Sequence, residues 1–193
     1  LNKIKMIVGL GNSFHQYDET RHNVGFWFVN ILSDFYQSSF KLKKRFLGFV
    51  SSIKLNNNKI YLLKPNLFMN LNGNSVYALS SFYKIKLSEI LIVRDELDLF
   101  PGVLKIKVGT SDNGHNGVKS IINIFKNKNA FMQLNIGIGR PKLKKNISNF
   151  VLDNPSIIEK KMIIKAILEF IILTKNNIYK KDFLKNKKIV LSI

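Results

Sequence analysis

The chain has no cysteine, which excludes disulfides, thiolate metal sites and a cysteine nucleophile, and which suits a reducing cytosol. It has no apolar run long enough to cross a bilayer. The most apolar stretch, 162–174, is broken by Lys165 and Glu169 and reads as a buried helix. The sequence begins at Leu1 and enters a strand-like run almost at once, without the pattern of a signal peptide, so a cytoplasmic protein with no membrane role is expected. There is no internal repeat and no long linker. Acidic residues are also scarce, with 12 Asp and Glu against 31 Lys and Arg.

What is present suffices for one domain spanning 1–193. Hydrophobic residues make up 46% and aromatic residues 11%, enough for a substantial core. The net charge of +19 favours a polyanion such as RNA or DNA through counterion release. A second account stands beside it: abundant Lys, Asn, Ile and Phe are what an AT-rich genome produces by codon drift, so the charge alone does not identify a partner.

Periodicity predicts alternating strands and helices. Residues 4–9 read as a buried strand ending in Gly9-Leu10-Gly11. Val24, Trp27, Phe28, Ile31, Leu32 and Phe35 fall at helical spacing. Strand-like runs at 48–55 and 59–64 flank Asn56-Asn57-Asn58, a hairpin signal, and Pro65 stops the second. A helix is expected over 73–83, a buried strand at 90–93 and a half-exposed strand at 104–108. A helix at 116–125 and a strand at 134–138 follow, then a long helix opened by Pro155. The region from about 155 is helical and ends in a basic tail. The pattern predicts an α/β fold with a mixed twisted sheet flanked by helices. Asn12, Asn70, Asp95 and Asn116 are then expected at or just after strand ends, and His22 just before the first helix. Ligands of open α/β sheets bind in that crevice.

Several motifs occur in order: Gly9-Leu10-Gly11-Asn12, Tyr17, Thr20-Arg21-His22-Asn23-Val24-Gly25, Lys64-Pro65 with Phe68-Met69-Asn70, Asp95-Glu96-Leu97-Asp98-Leu99, Pro101-Gly102, Gly114-His115-Asn116-Gly117 and Gly137-Ile138-Gly139-Arg140-Pro141. Together they resemble the bacterial peptidyl-tRNA hydrolase family, over about residues 6–155. The resemblance implies a monomeric α/β enzyme, free of metal and cofactor, that cleaves the ester joining a peptide to the terminal ribose of tRNA. It implies His22 as the base, Asp95 as its partner and Asn70 as a catalytic amide, with Asn12, Tyr17, Phe68, Asn70 and Asn116 contacting substrate. Lys105 and Lys107, on one side of a strand, are candidate tRNA-phosphate contacts, Lys107 the better on the resemblance, and Arg140 is a third candidate.

The residue types suit that chemistry. An imidazole titrates near neutrality and can take a proton from water. A carboxylate on its other nitrogen fixes the tautomer and stabilises the imidazolium. An amide can donate to the tetrahedral oxyanion. Plainer roles remain open at this stage: Asp95 capping a turn, Asn70 and Asn116 serving backbone geometry, Lys105 and Lys107 on a solvated strand face. His115 is expected to orient Asn116 or its loop, His15 to be a solvated loop residue, Trp27 to lie in the core and Asp98 to be structural.

The chain also departs from the family pattern. Ser13-Phe14 stands for Pro-Gly, Arg94 for His, Leu67 and Asn72 for Thr and Ser, Asn113 for Gly and Asn135 for Arg. Two rival functions fit parts of the sequence. A dinucleotide enzyme fails because Phe14 occupies the place of the third glycine of the phosphate-binding turn. A non-catalytic basic RNA-binding protein would account for the lysines but not for His22, Asp95 and three asparagines at strand ends.

Overall fold

The computed structural model describes residues 3–126, 130–141, 143, 146–185 and 188–190. In chain order the elements are β1 (Met6–Gly9), α1 (Val24–Phe35), β2 (Lys41–Lys43), β3 (Gly48–Leu55), β4 (Asn58–Pro65), α2 (Asn72–Phe82) and β5 (Ile90–Glu96). There follow β6 (Val103–Gly109), α3 (Asn116–Phe125), β7 (Phe131–Gly137), α4 (Ile147–Leu152), α5 (Ile157–Thr174), α6 (Lys181–Leu184) and β8 (Lys188–Val190). All described strands join one sheet in the order β2-β3-β4-β1-β5-β7-β6-β8. β4, β1, β5 and β7 run parallel, whereas β2 and β3 on one side and β6 and β8 on the other pair antiparallel. The sheet is therefore mixed, as expected.

Helices cover both faces. Ile7, Leu91, Val93, Leu134 and Ile136 pack against α1 and α5, while Met6, Val8, Ile90 and Ile92 pack against α2 and α3. Adjacent strand residues thus serve opposite cores, the period-2 rule that makes these strands read as continuous apolar runs. Phe28 of α1 and Phe170 of α5 meet edge to face with ring centres 5.8 Å apart. Such a pair contributes ~0.5–1.5 kcal/mol beyond its burial. No described helix is long and apolar enough to cross a membrane.

Several boundaries differ from the sequence reading, each for a physical reason. Asn56 and Asn57 both take positive φ (45° and 64°), so the hairpin loop is two residues long and Asn58 already pairs with Leu55. Ser156, not Pro155, caps α5, through a reciprocal capping box with Glu159. β5 continues past Val93 to Glu96, because Arg94 and Glu96 neutralise each other inside the sheet. Phe35, expected on the packed face of α1, ends that helix exposed, its ring edge to face with Tyr36. The short β2, α4, α6 and β8 were not anticipated, and 186–187 and 191–193 of the basic tail lie outside the described residues.

Candidate active site

The parallel strands β1, β4 and β5 direct their carboxyl ends to one side of the sheet, and the loops that follow them meet there. Close packing sets the spacing. A Cβ on Gly25 would stand 2.5 Å from the Leu10 carbonyl oxygen and 2.6 Å from that of Val93, so only glycine lets α1 sit this near β1 and β5. The turn before α1 then delivers His22 beside the end of β5.

Two buried asparagines clamp the loop after β1. Asn23 accepts from the backbone N–H of Asn12 through Oδ1 at 2.8 Å and donates to its carbonyl at 2.9 Å. Asn72 does the same for Gly11, at 3.1 Å in both directions, and also donates to Phe68 O at 2.9 Å. The side chain of Asn12 in turn accepts from the Met69 N–H at 2.7 Å. That bond fixes the amide orientation and leaves its NH₂ as a donor. Sequence reasoning singled out Asn12 but missed both clamps, since an asparagine in a turn carries no sign of its partner.

Asp95 is the centre of the site. It is 4% exposed, and a single oxygen, Oδ1, meets Nδ1 of His22 at 2.8 Å and Nε2 of His115 at 2.9 Å. Backbone contacts assign the His115 tautomer. Its Nδ1 accepts from the N–H groups of Gly117 and Val118 at 3.1 and 3.3 Å, capping α3, so the ring proton resides on Nε2 and points at Asp95. His22 likewise donates from Nδ1, leaving Nε2 without a hydrogen bond among the described residues. The two rings lie 4.9 Å apart, tilted by 49°.

Burial alone would raise the Asp95 pKa, but the two imidazoles outweigh it and hold the carboxyl well below the usual carboxylate range. Burial pushes the His115 pKa down; Asp95 opposes this, while the neighbouring His22 ring and the Arg94 cation add to it. His115 is thereby kept neutral. The ligand atoms of His22, Asp95 and His115 lie within 4.8 Å of one another, a spacing that could accept a metal. The proton that the α3 cap assigns to Nε2 of His115 occupies the position such an ion would need.

Around this cluster opens a cavity of about 630 Å³, lined by Asn12, Tyr17, His22, Phe68, Asn70, Asp95 and Asn116, and closed on one side by Ile147, Val151 and Leu152 of α4. The structure thus brings together the expected catalytic and substrate-contacting residues. Their positions differ in part from the sequence reading. Asp95 lies within β5 rather than after it. Asn116 is not at a strand end: β6 runs antiparallel to β7 and finishes at the far side, and 110–115 returns along the sheet, its Ser111 carbonyl accepting from Gln133 at 3.3 Å. Asn113 takes φ 48° in that return, the left-handed conformation asparagine tolerates best after glycine. Phe14 stacks on Phe68 with ring centres 4.4 Å apart.

Arg21 joins α4 to the site, donating from Nη1 to the carbonyls of Phe150, Asp153 and Asn154 and from Nη2 to Glu159. Its motif neighbours drew attention to His22 and left this role unseen. Trp27 is buried as expected and donates to the Asp18 carbonyl. His15 is exposed and paired with Asp18.

The three basic candidates do not share one position. Lys105 and Lys107 are both exposed on one face of β6 and line a second cavity, about 500 Å³, with Asn113 and Asn135. Arg140 is held by Asp98 through Nε and Nη2 at 3.0 and 2.6 Å and is absent from that cavity's lining. It does not stand in for an arginine at Asn135, whose buried Oδ1 has no partner.

Comparison with known proteins finds relatives over nearly the whole chain. Residues 6–190 match the family described as peptidyl-tRNA hydrolase. A peptidyl-tRNA hydrolase of Buchnera aphidicola subsp. Cinara cedri is 71% identical over 191 residues, covering 99% of this chain and 100% of the relative. One from Proteus mirabilis is 46% identical and covers 90% of each chain. A crystal structure of the Acinetobacter baumannii peptidyl-tRNA hydrolase superimposes with a TM-score of 0.85 at 38% identity, over 91% of this chain and 88% of that one. The chain belongs to the peptidyl-tRNA hydrolase family.

Proposed function

We propose that this protein hydrolyses the ester between a peptide, or an N-blocked amino acid, and the 3′ terminal ribose of tRNA, using a water activated by His22. The observation that carries the mechanism is the Nδ1–Asp95 bond of 2.8 Å, which leaves Nε2 of His22 as an acceptor in the cavity. A water there donates to Nε2 and attacks the ester carbonyl carbon as its proton moves to the imidazole. Asp95 stabilises the imidazolium without taking the proton. The Asn70 amide donates to the developing oxyanion, a contribution typically worth ~2.7–4 kcal/mol. Collapse breaks the ester C–O bond, and His22 returns the proton to the departing ribose oxygen.

Asn12 sets specificity. With Oδ1 engaged by Met69, its free NH₂ suits a peptide carbonyl oxygen and gives no welcome to the ammonium of an unblocked aminoacyl group. Tyr17, Phe68 and Asn116 contact the substrate end, and Lys105 and Lys107 meet tRNA phosphates, with Arg140 further along. The reading takes the enzyme to work as a monomer in the cytoplasm, where its substrate is made on ribosomes. The purified protein is expected to release the acyl group from N-acetylaminoacyl-tRNA and to spare the unblocked form, and His22→Ala to lose turnover by on the order of 10²–10⁴-fold. Normal turnover by His22→Ala would overturn the assignment of the base.

A further inference from the structure

Arg94 occupies a place that none of the site residues so far explains. It is 2% exposed, the largest side chain buried this fully among the described residues. Each side of its guanidinium is committed: Nε donates to Gln133 Oε1 at 2.9 Å, Nη2 to Glu96 Oε2 at 2.8 Å, and Nη1 to the backbone carbonyl of Asp95 at 2.8 Å. Three of its five N–H groups are thus committed inside the fold, and its register partner on β7 is Asn135.

We propose that Arg94 is a positioning residue for the hydrolysis: held between Gln133 and Glu96, it fixes the main chain of Asp95 so that one carboxylate oxygen meets both imidazoles. This rests on the function proposed above. The physical case has two parts. A charge-assisted bond to the Asp95 carbonyl restrains the backbone from which the carboxylate extends, and small misplacements of a catalytic group cost rate steeply. The buried cation also disfavours a second positive charge close by, and His115 feels it. The charged or titratable groups around His115 are Asp95, Arg94 and Glu96 on β5, His22 from the turn before α1, and Asp112 and Lys119 in its own loop and in α3; β7 presents only Gln133 and Asn135, and α4 only Ile147, Ser148, Val151 and Leu152.

Arg94→Met alone would strand Glu96 in the interior, so the informative variant is Arg94→Met combined with Glu96→Gln, which removes both buried charges together. In this double variant kcat on N-acetylaminoacyl-tRNA is expected to fall about tenfold or more with KM unchanged within about twofold. The chain has only 3 histidines, so each imidazole can be followed by NMR, and His115 is expected to protonate at a higher pH than in the unaltered protein. Arg94→Lys, which keeps the charge but not the three-way fork, is expected to lower kcat while leaving the His115 titration in place. Full kcat in the folded double variant, with the His115 titration unmoved, would overturn the proposal; so would lowered thermal stability alone. If the unaltered protein failed to cleave the substrate, the functional reading would fall, while the titrations would still decide what Arg94 does to the cluster.

Discussion

Replacing Asp95 by Asn keeps the size of the side chain but removes the charge that two imidazoles share through one oxygen. The amide can still accept from only one nitrogen in comfort, so the His22 tautomer is no longer fixed, and kcat is expected to drop by on the order of 10²–10⁴-fold with little change in KM. Steady-state kinetics on N-acetylaminoacyl-tRNA checks this. His115 makes a separate prediction about stability. Its pKa in the fold lies below the ordinary 6.5, so the unfolded chain binds more protons in acid, and the His115 contribution is fully present above pH ~6.5 and is lost as pH falls toward the folded value. Asp95, held low, loses its own contribution only further into acid. Denaturant titrations from pH 8 to 5 should show stability declining, and His115→Asn should flatten that decline; an equal slope in both proteins would contradict the assignment. At this scale the sequence was readable for side chains embedded in motifs, such as His22 and Asn70. It was silent on His115 as a second donor to Asp95, because nothing local shows that the chain, 20 positions further on, returns to the same oxygen.

Among the elements, the β1–α1 contact has the least room for change. Gly25→Ala would drive a methyl group against two backbone carbonyls, and neither strand can yield without disturbing its ladder. Such overpacking typically costs ~1–3 kcal/mol, and thermal melting should register it together with a loss of kcat, since His22 leads directly into α1. The parallel core strands were legible as apolar runs because both of their faces are buried. β2 and β8 were not, since three-residue edge strands of mixed Lys and apolar character carry too few residues to show a period. α4 escaped notice for a similar reason: its six residues make fewer than two turns, although Val151 joins the core and Ile147, Val151 and Leu152 wall the cavity.

For the molecule as a whole, the excess of 31 basic over 12 acidic residues leaves open which cations matter. If Lys105 and Lys107 touch phosphates, log affinity for tRNA should fall linearly with log salt, and replacing each by Ala should lower the slope by about 1. Equal slopes in the variants would assign the charge to composition rather than contact. Fold class and site membership could be read from the order of motifs, whereas the pairing partners of Arg21, Asn72 and Arg94 required the tertiary structure. The α4 wall carries one more implication. The cavity draws on residues from Asn12 to Leu152, so a nascent chain still on the ribosome lacks a complete site until most of it has been made. The site is thus a late product of folding: its wall closes only when α4 docks beside strands laid down far earlier in the chain.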